Sequence, residues 1–311
     1  MDAINKNKKL KYTLLLTTFP QRYGHMDGVS KIEYGNNYHI LRFYTPEHKN
    51  KFFRQIIAYI YFMIGVIKYA YLNRKYFDSI FATSSRFGTG FLGFLISKIT
   101  KKPLFLDLRD IFSDNLQSLP SLQNLMGQFL IKVIAKYETK IVQYAKWVNF
   151  VSPGFKMYPH ITKNVKEIHP YTNGIDDIFL KNNPKNINYN KNRIEKLKIL
   201  YAGNIGFGQG LELTVIPIAL HFKERVKIQL IGDGSSIHVM KKAIKENNIH
   251  NIELIDPIKR EILIKHYDKT DMFLMQLNNI PAFERVLPSK IFDYGSYNKP
   301  IIAGVKGVAR D

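Results

Sequence analysis

The stretch VLPSKIFDYG spans residues 286–295, and KPIIAG follows it at residues 299–304. Pro288 fits the start of a helix, because its fixed φ suits a first turn and its missing N–H would have no partner there. Ser289 and Lys290 then stand where backbone N–H groups favour an anion, and Asp293 lies one turn beyond Ser289 on the same face. The apolar run after the helix predicts a buried strand. Such a helix suits a ligand that carries a diphosphate and a ribose, although an ordinary helix start fits the same residues.

A second motif, YAGNIGFGQGL, occupies residues 201–211. A strand that runs into a glycine-rich loop and then a helix brings backbone amides close to phosphate oxygens. The spacing is not G-x-G-x-x-G and the lysine of a P-loop is missing, so NAD and P-loop sites are disfavoured. A further glycine turn, GDG, ends the strand at residues 232–234. Each of these could also be a plain turn between a strand and a helix.

Together these segments resemble the donor-binding motifs of group 1 (family 4) glycosyltransferases, in the branch that builds bacterial capsules and O-antigens. Members carry a P-S-K-x-[FY]-[ED]-Y helix, a K-P-[IV]-[IV]-A strand and a G-N-[ILV]-G-x-x-Q-G loop. Asp293 replaces the commoner Glu, and Asn204 and Gln209 stand where many members have Arg and Lys. The resemblance implies that Lys290 is the main positive charge at the donor phosphates. The implied donor-binding residues are Gly203, Asn204, Gly206, Gln209, Gly232, Asp233, Gly234, Pro257, Ser289, Lys290 and Asp293.

Catalytic and acceptor residues are predicted mainly in the first half of the chain. Arg109 and Asp110 follow a strand-like run, and such a charged cluster faces the ligand cleft in a doubly wound domain. They resemble the R-D segment of the capsule branch, which implies contact with the donor sugar or the acceptor; a buried Arg–Asp pair is the alternative. Glu284 is assigned a catalytic role by resemblance, although Arg285 holds the position of the family's first acid. A polar loop adds acceptor-side candidates at Ser84, Ser85 and Arg86.

The composition limits the class of protein. The formal net charge is +21 at pH 7, which favours anionic partners, but no nucleic-acid-binding module with interleaved aromatics is visible. The chain has no cysteine, which excludes disulfides and thiolate metal sites. No cluster of His, Asp and Glu has metal-ligand spacing, so we expect neither a metal nor another cofactor.

The segment FFRQIIAYIYFMIGVIKYAYL, residues 52–72, allows two interpretations. Its uninterrupted apolar core covers residues 56–67, which is shorter than the roughly 20 residues needed to span a bilayer. The favoured interpretation is a buried helix on the sheet of an α/β domain. The alternative is a basic and aromatic helix partly embedded in a membrane surface.

Alternating strand-like and helical patterns run through both halves of the chain and predict an α/β fold with parallel, doubly wound sheets. We predict an N-terminal Rossmann-like domain over residues 1–175, with a short helix inside residues 29–34, and a linker over residues 176–196. A nucleotide-sugar-binding Rossmann-like domain follows over residues 197–311. The resemblance implies the two-domain GT-B fold. Family members continue with another strand and several helices, so the second domain is expected to be incomplete at its C-terminal end.

The resemblance implies a retaining glycosyltransferase that moves a hexosyl or N-acetylhexosaminyl group from a UDP- or GDP-sugar. The expected acceptor is lipid-linked, on a polyprenyl diphosphate, or an oligosaccharide of capsule or O-antigen synthesis. The expected location is the cytoplasmic face of the plasma membrane, through peripheral contact and without nucleic acid. Two alternatives stay open: a nucleotide-sugar 2-epimerase of the same fold, and a catalytically degenerate scaffold fragment.

Overall fold

The computed structural model of the protein describes residues 11–20, 29–47, 52–84, 87–117, 122–181 and 196–311. Two predicted acceptor-side residues, Ser85 and Arg86, lie outside the described residues, as does the 182–195 part of the predicted linker. Within the described residues, the strands form three sheets, of three, four and five strands.

The three-stranded sheet has the order β1-β3-β2 and comprises Thr13–Thr18 (β1), Ile32–Tyr34 (β2) and Tyr38–Phe43 (β3). β1 and β3 are parallel, whereas β2 is antiparallel to β3. The predicted helix inside residues 29–34 is therefore wrong. Ile32 and Tyr34 alternate with Glu33, and the Gly-Asn-Asn turn that follows lets the chain fold back, which together favour a β-hairpin. Across this hairpin, Glu33 accepts a 2.7 Å ion-pair contact from Arg42.

The four-stranded sheet has the order β4-β5-β6-β7. Its strands are Ile80–Ser84 (β4), Leu104–Leu108 (β5), Trp147–Phe150 (β6) and Ile168–His169 (β7). The helices in this part of the chain are Phe52–Leu72 (α1), Phe87–Thr100 (α2), Phe112–Gln117 (α3), Leu125–Tyr144 (α4), Pro159–Thr162 (α5) and Asp177–Lys181 (α6). Between β5 and β6 the sequence has apolar residues at helical spacing from Leu122 to Ile141, which predicts a long helix, and α4 confirms it with its start and end about three residues later.

The five-stranded sheet is entirely parallel and has the order β10-β9-β8-β11-β12. Its strands are Leu197–Ala202 (β8), Val226–Ile231 (β9), Ile252–Ile255 (β10), Met272–Gln276 (β11) and Ile301–Gly304 (β12). The intervening helices are Glu212–Phe222 (α7), Ile237–Glu246 (α8), Arg260–Lys269 (α9) and Lys290–Gly295 (α10). The strand order reverses between β8 and β11, and ligands of such sheets bind at the carboxyl ends of the strands beside this reversal.

Both faces of the five-stranded sheet are covered. Side chains of β8 alternate between two buried clusters: Ile199 and Tyr201 belong to one, and Leu200 and Ala202 to the other. The first cluster includes residues of α7 and α8, and the second includes residues of α9 and α10. Burial on both faces explains the apolar run at residues 199–202 of β8 and the largely apolar β11, and it confirms the predicted doubly wound arrangement.

The contacts along the chain divide it into two compact units. Unit 1 comprises Met1–Leu108, Ile134–Val148 and Asn164–Glu167. Unit 2 comprises Arg109–Val133, Asn149–Lys163 and Ile168–Asp311, and it contains the whole five-stranded sheet. The domain boundaries given by the sequence stay a prediction.

Candidate functional site

Two glycine turns lie side by side at the carboxyl ends of β8 and β9. The Gly203 N–H donates to the Ile231 carbonyl at 2.8 Å, and the Gly232 N–H donates to the Ile255 carbonyl at 2.9 Å. Ile205 then donates to the Asp233 carbonyl at 2.9 Å, so that the hydrogen-bonded contact continues beyond the strands. The turns are thus held together by their own backbones at the edge where the strand order reverses.

Gly203 and Gly232 are the positions where the turns require glycine. Their φ angles are +144° and +147°, which side-chain-bearing residues rarely adopt. A Cβ on Gly232 would also collide with the Gly203 carbonyl oxygen. The backbones of the two turns therefore approach each other closely at Gly232, and their predicted approach to phosphate oxygens stays a prediction.

Amide side chains brace the glycine-rich loop after β8. Asn204 Nδ2 donates to Gln209 Oε1 at 2.8 Å, and the Gly206 N–H donates to the same oxygen at 3.2 Å. From the end of β11, Asn278 donates its backbone N–H to the Gly208 carbonyl at 2.9 Å and its side-chain amide to the Phe207 carbonyl at 3.2 Å. Asn204 and Gln209 therefore set the shape of the loop at the positions where the resembling family often has Arg and Lys.

Lys290 lies directly beside the first glycine turn. Its Nζ is 2.7 Å from the position that a Cβ on Gly203 would occupy, and 5.0 Å from the centroid of the Tyr201 ring. The Tyr201 hydroxyl donates to the Asn204 carbonyl at 2.6 Å, which connects the ring to the loop. Partial burial lowers the pKa of Lys290 from 10.5 to about 8, and the nearby Asp293 opposes this shift. A cation at the Gly203 turn is thus the main electrostatic feature of the site.

Asp293 lies in the first turn of α10, one turn beyond Ser289, as predicted. Burial raises the pKa of its carboxyl, while Arg260 and Lys290 act in the opposite direction. Arg260, the first residue of α9, also forms an ion pair with Asp176. No sequence motif indicates a role for Arg260 or Tyr201, because their proximity to Asp293 and Lys290 depends on contacts between distant elements.

Helix α10 is short and firmly anchored. It begins at Lys290, two residues after the predicted start at Pro288, and Ser289 before it is exposed and makes no side-chain cap. The buried Tyr294 accepts a 2.9 Å hydrogen bond from the Ala202 N–H, and its ring stacks on Phe273 at 4.4 Å between centroids. This anchoring to β8 and β11 fixes the positions of Lys290 and Asp293 at the carboxyl end of the sheet.

The other predicted donor-binding residues lie in the same loops. Asp233 is exposed, and its carboxylate accepts a 2.8 Å hydrogen bond from the Gly234 N–H. Pro257 is exposed shortly after the end of β10. The structure thus brings the Gly203 and Gly232 turns together with Lys290, while the roles of the individual residues stay predictions.

The predicted catalytic residues occupy other parts of unit 2. Arg109 is exposed and donates to Asn173 Oδ1, and Asp110 is partly buried before α3. Glu284 is exposed in the turn Pro281–Arg285. In unit 1, Ser84 is buried at the end of β4, close to Gly90 of α2. Their contacts with a sugar or an acceptor stay predictions.

Arg285, the neighbour of Glu284, belongs to a polar cluster that the sequence analysis did not foresee. Its guanidinium donates to the Tyr158 hydroxyl at 2.9 Å and lies 4.4 Å from the centroid of that ring. The Tyr158 hydroxyl donates in turn to Asp114, which is 3.4 Å from the same guanidinium nitrogen. The pKa of Tyr158 is raised mainly by burial and, to a lesser extent, by its hydrogen bond to Asp114. This cluster holds the segment that carries Glu284.

Among the residues that the structure describes, no group of three or more His, Cys, Asp or Glu side chains is arranged to hold a metal ion.

Comparisons with known proteins show similarity of fold. No protein-family model matches the sequence, and no curated protein sequence matches it. Sucrose-phosphate synthase from Thermosynechococcus elongatus has a TM-score of 0.69 at 13% identity, and the match covers 94% of this chain and 71% of that one. Anabaena HepE in complex with UDP-glucose has a TM-score of 0.60 at 14% identity, with 96% and 82% covered. The catalytic domain of starch synthase IV from Arabidopsis thaliana, bound to ADP and acarbose, has a TM-score of 0.59 at 14% identity, with 90% and 69% covered.

These neighbours are glycosyltransferases of the GT-B fold. At such low identity the likeness shows the fold alone, and it confirms the predicted α/β architecture with Rossmann-like domains.

Proposed function

We propose that the protein is a glycosyltransferase that binds a nucleotide-diphosphate sugar at the carboxyl edge of the five-stranded sheet. The observation that carries this proposal is the position of Lys290, whose ammonium lies beside Gly203 where the strand order reverses. A partly buried cation at this edge, to which no carboxylate of the described residues is bonded, suits the diphosphate of a nucleotide. The UDP-glucose bound to HepE and the ADP bound to starch synthase IV, both of similar fold, support this class of ligand.

The polar groups around Lys290 fit the other parts of such a donor. The charge of Lys290 acts to lower the pKa of Asp293, so the two side chains are near each other. The Asp293 carboxylate is proposed to accept hydrogen bonds from the ribose hydroxyls. We propose the backbone N–H groups of Asn204 and Asp233, which lie within the two glycine turns, as uncharged donors for phosphate oxygens. We assign the base to the side of Pro257, and we propose UDP or GDP as the nucleotide.

We further propose a retaining transfer that needs no metal ion. The bond between the anomeric carbon and the donor phosphate breaks, and the acceptor hydroxyl forms a bond to that carbon on the same face. The acceptor proton passes to the departing phosphate, whose growing negative charge Lys290 stabilises. Arg109, Asp110 and Glu284 are proposed to contact the sugar or the acceptor hydroxyl, and Ser84, Ser85 and Arg86 the rest of the acceptor.

The finer biological assignment follows from the resemblance of the motifs. We propose a lipid-linked polyprenyl diphosphate or an oligosaccharide as acceptor, in capsule or O-antigen synthesis at the cytoplasmic face of the plasma membrane. The net charge of +21 favours both an anionic donor and an anionic lipid-linked acceptor.

Isothermal titration with UDP, GDP and UDP-GlcNAc tests the donor site. We expect one nucleotide to bind and Lys290→Met to weaken its binding by about 10- to 100-fold, since a hydrogen bond to a charged group contributes roughly 1.5–3 kcal/mol. Lys241→Met, at an exposed position of α8, is the matched control and should leave binding unchanged. Equal affinity of the wild type and Lys290→Met would refute the proposed role of Lys290.

Product analysis then separates transfer from its alternatives. Release of the nucleotide only with an acceptor present supports transfer, whereas epimerisation or hydrolysis of the donor alone indicates a 2-epimerase. A folded wild-type protein that binds none of the nucleotides would favour the scaffold interpretation.

A further inference from the structure

Among the residues that the structure describes, unit 1 holds helix α1 along one side. Ala58, Val66 and Ala70 on that side are buried, and Phe43 of β3 packs against Gly65. The Tyr59 hydroxyl donates to the Gly88 carbonyl at the start of α2. These contacts fix the rotation of α1 about its axis, and they therefore determine which of its residues face away from the rest of unit 1.

The opposite side forms a continuous exposed stripe, which we call the α1 outer face. Its members recur at intervals of three, four and seven residues, which places them on one side of a helix. They are Ile57, Ile60, Tyr61, Ile64, Lys68, Tyr71 and Leu72. Ile64 is 60% exposed, Tyr61 58% and Leu72 64%. A contiguous stripe of exposed apolar side chains indicates an interaction site. The favoured prediction of a buried helix thus holds for one side of α1 and is wrong for the other.

The charged side chains on α1 itself are all basic. The helix contains no acidic residue, and Arg54 and Lys68 are exposed on it. At its C-terminal end, the Arg74 guanidinium lies 4.4 Å from the centroid of the Tyr71 ring, and Lys75 follows, exposed. Apolar side chains, tyrosines and cations on one side of a helix are the pattern that binds the surface of an anionic membrane.

We propose that the α1 outer face docks on an anionic lipid membrane, with the helix lying in the plane of the interface. The isoleucines and Leu72 enter the boundary between headgroups and acyl chains, and Lys68 and its cationic neighbours contact lipid phosphates. Of the described helices, only Arg54–Leu72 is long and apolar enough to cross a membrane by length and composition, and 17% of it is buried. Its packing against α2 and β3 favours docking along the surface over crossing.

This assignment rests on unit 1, whereas the donor site rests on unit 2. Loss of nucleotide binding and loss of membrane binding are therefore separate outcomes, and either proposal can fail while the other stands.

A single reporter cysteine tests the docking site, because the chain contains no native cysteine. The full chain with Ile64→Cys is labelled with a polarity-sensitive fluorophore and mixed with vesicles of phosphatidylcholine, with or without phosphatidylglycerol. We expect a blue shift that requires the anionic lipid. Val239→Cys, at a 53% exposed apolar position of α8, is the matched control and should show none. No shift at Ile64→Cys, or equal shifts at both positions, would overturn the proposal.

Charge variants give a second readout that does not depend on labelling. In vesicle co-sedimentation, Lys68→Gln should weaken binding about fivefold at low ionic strength, since each basic residue near an anionic surface contributes about 1 kcal/mol. Lys241→Gln should change binding much less. A lipid-independent dimer in analytical ultracentrifugation that Ile64→Asn dissociates would show that a second copy covers this face, and it would refute membrane docking.

Discussion

Lys290 is a cation whose charge depends on pH close to the physiological range. Its pKa of about 8, lowered by burial, means that the ammonium form dominates at pH 7 and is lost above pH 8. A bound diphosphate favours the ammonium, so nucleotide binding and proton binding at this residue are coupled. The residue thus makes the proposed donor site sensitive to mildly alkaline conditions.

We predict that nucleotide affinity changes little between pH 6.5 and 7.5 and falls above about pH 8, by up to about tenfold per pH unit. In the ligand-free protein, a rise in pH has the opposite effect on the contribution of Lys290 to the free energy of unfolding. The folded state binds fewer protons at Lys290 than the unfolded state between about pH 8 and 10.5, so this residue makes stability rise with pH in that window. Titration calorimetry over this range measures the affinity. The same alkaline decline in Lys290→Met would contradict the assignment to Lys290.

At the scale of elements, the glycine turns after β8 and β9 are joined by backbone hydrogen bonds. These bonds depend on the close approach of Gly232 to the Gly203 carbonyl. The Gly232→Ala variant adds a side chain where φ is +147° and where the Gly203 carbonyl leaves no room. We predict a loss of about 1–3 kcal/mol in the free energy of unfolding, because of backbone strain. The displaced turn should also weaken nucleotide binding.

Chemical denaturation measures this prediction, with Gly295→Ala as the control. A Cβ on Gly295 at the end of α10 would meet no atom within 4 Å, so this variant should be neutral or slightly stabilising. Similar losses in both variants would show that the effect reflects a general cost of replacing glycine.

The elements also show which predictions sequence patterns can support. β8 and β9 are short, mostly apolar segments that end just before Gly203 and Gly232, and such strands bounded by turn residues are locally distinctive. The hairpin of β2 and β3 was missed because the expected family pattern, a helix, outweighed the turn residues at 35–37. The exposure of α1 could not be read from a sequence that is apolar on nearly every side.

At the same time, the site was predicted only in part. The glycine turns and Lys290 were found because each lies in a compact local motif. Arg260 near Asp293, Tyr201 under Lys290 and the Arg285–Tyr158 pair join residues that are distant along the chain. Such contacts depend on the packing of several elements, and no local pattern encodes them.

At the scale of the whole molecule, positive charge is abundant while clustered acidic ligands are lacking in the part of the chain that the structure describes. A divalent cation usually neutralises a leaving diphosphate, and here the side chain of Lys290 is proposed to do so. We predict that excess EDTA leaves nucleotide binding and sugar transfer within about twofold of the untreated protein. A loss of activity that Mg²⁺ or Mn²⁺ restores would contradict metal-independent transfer.

The amide pair of Asn204 and Gln209 has a kinetic consequence. Because these side chains and Asn278 hold the glycine-rich loop without a ligand, the loop loses little conformational freedom when a nucleotide arrives. Nucleotide association should therefore be limited by electrostatically assisted diffusion, with no slow phase in which the loop becomes ordered. Differences in affinity between nucleotides should lie mainly in their dissociation rate constants.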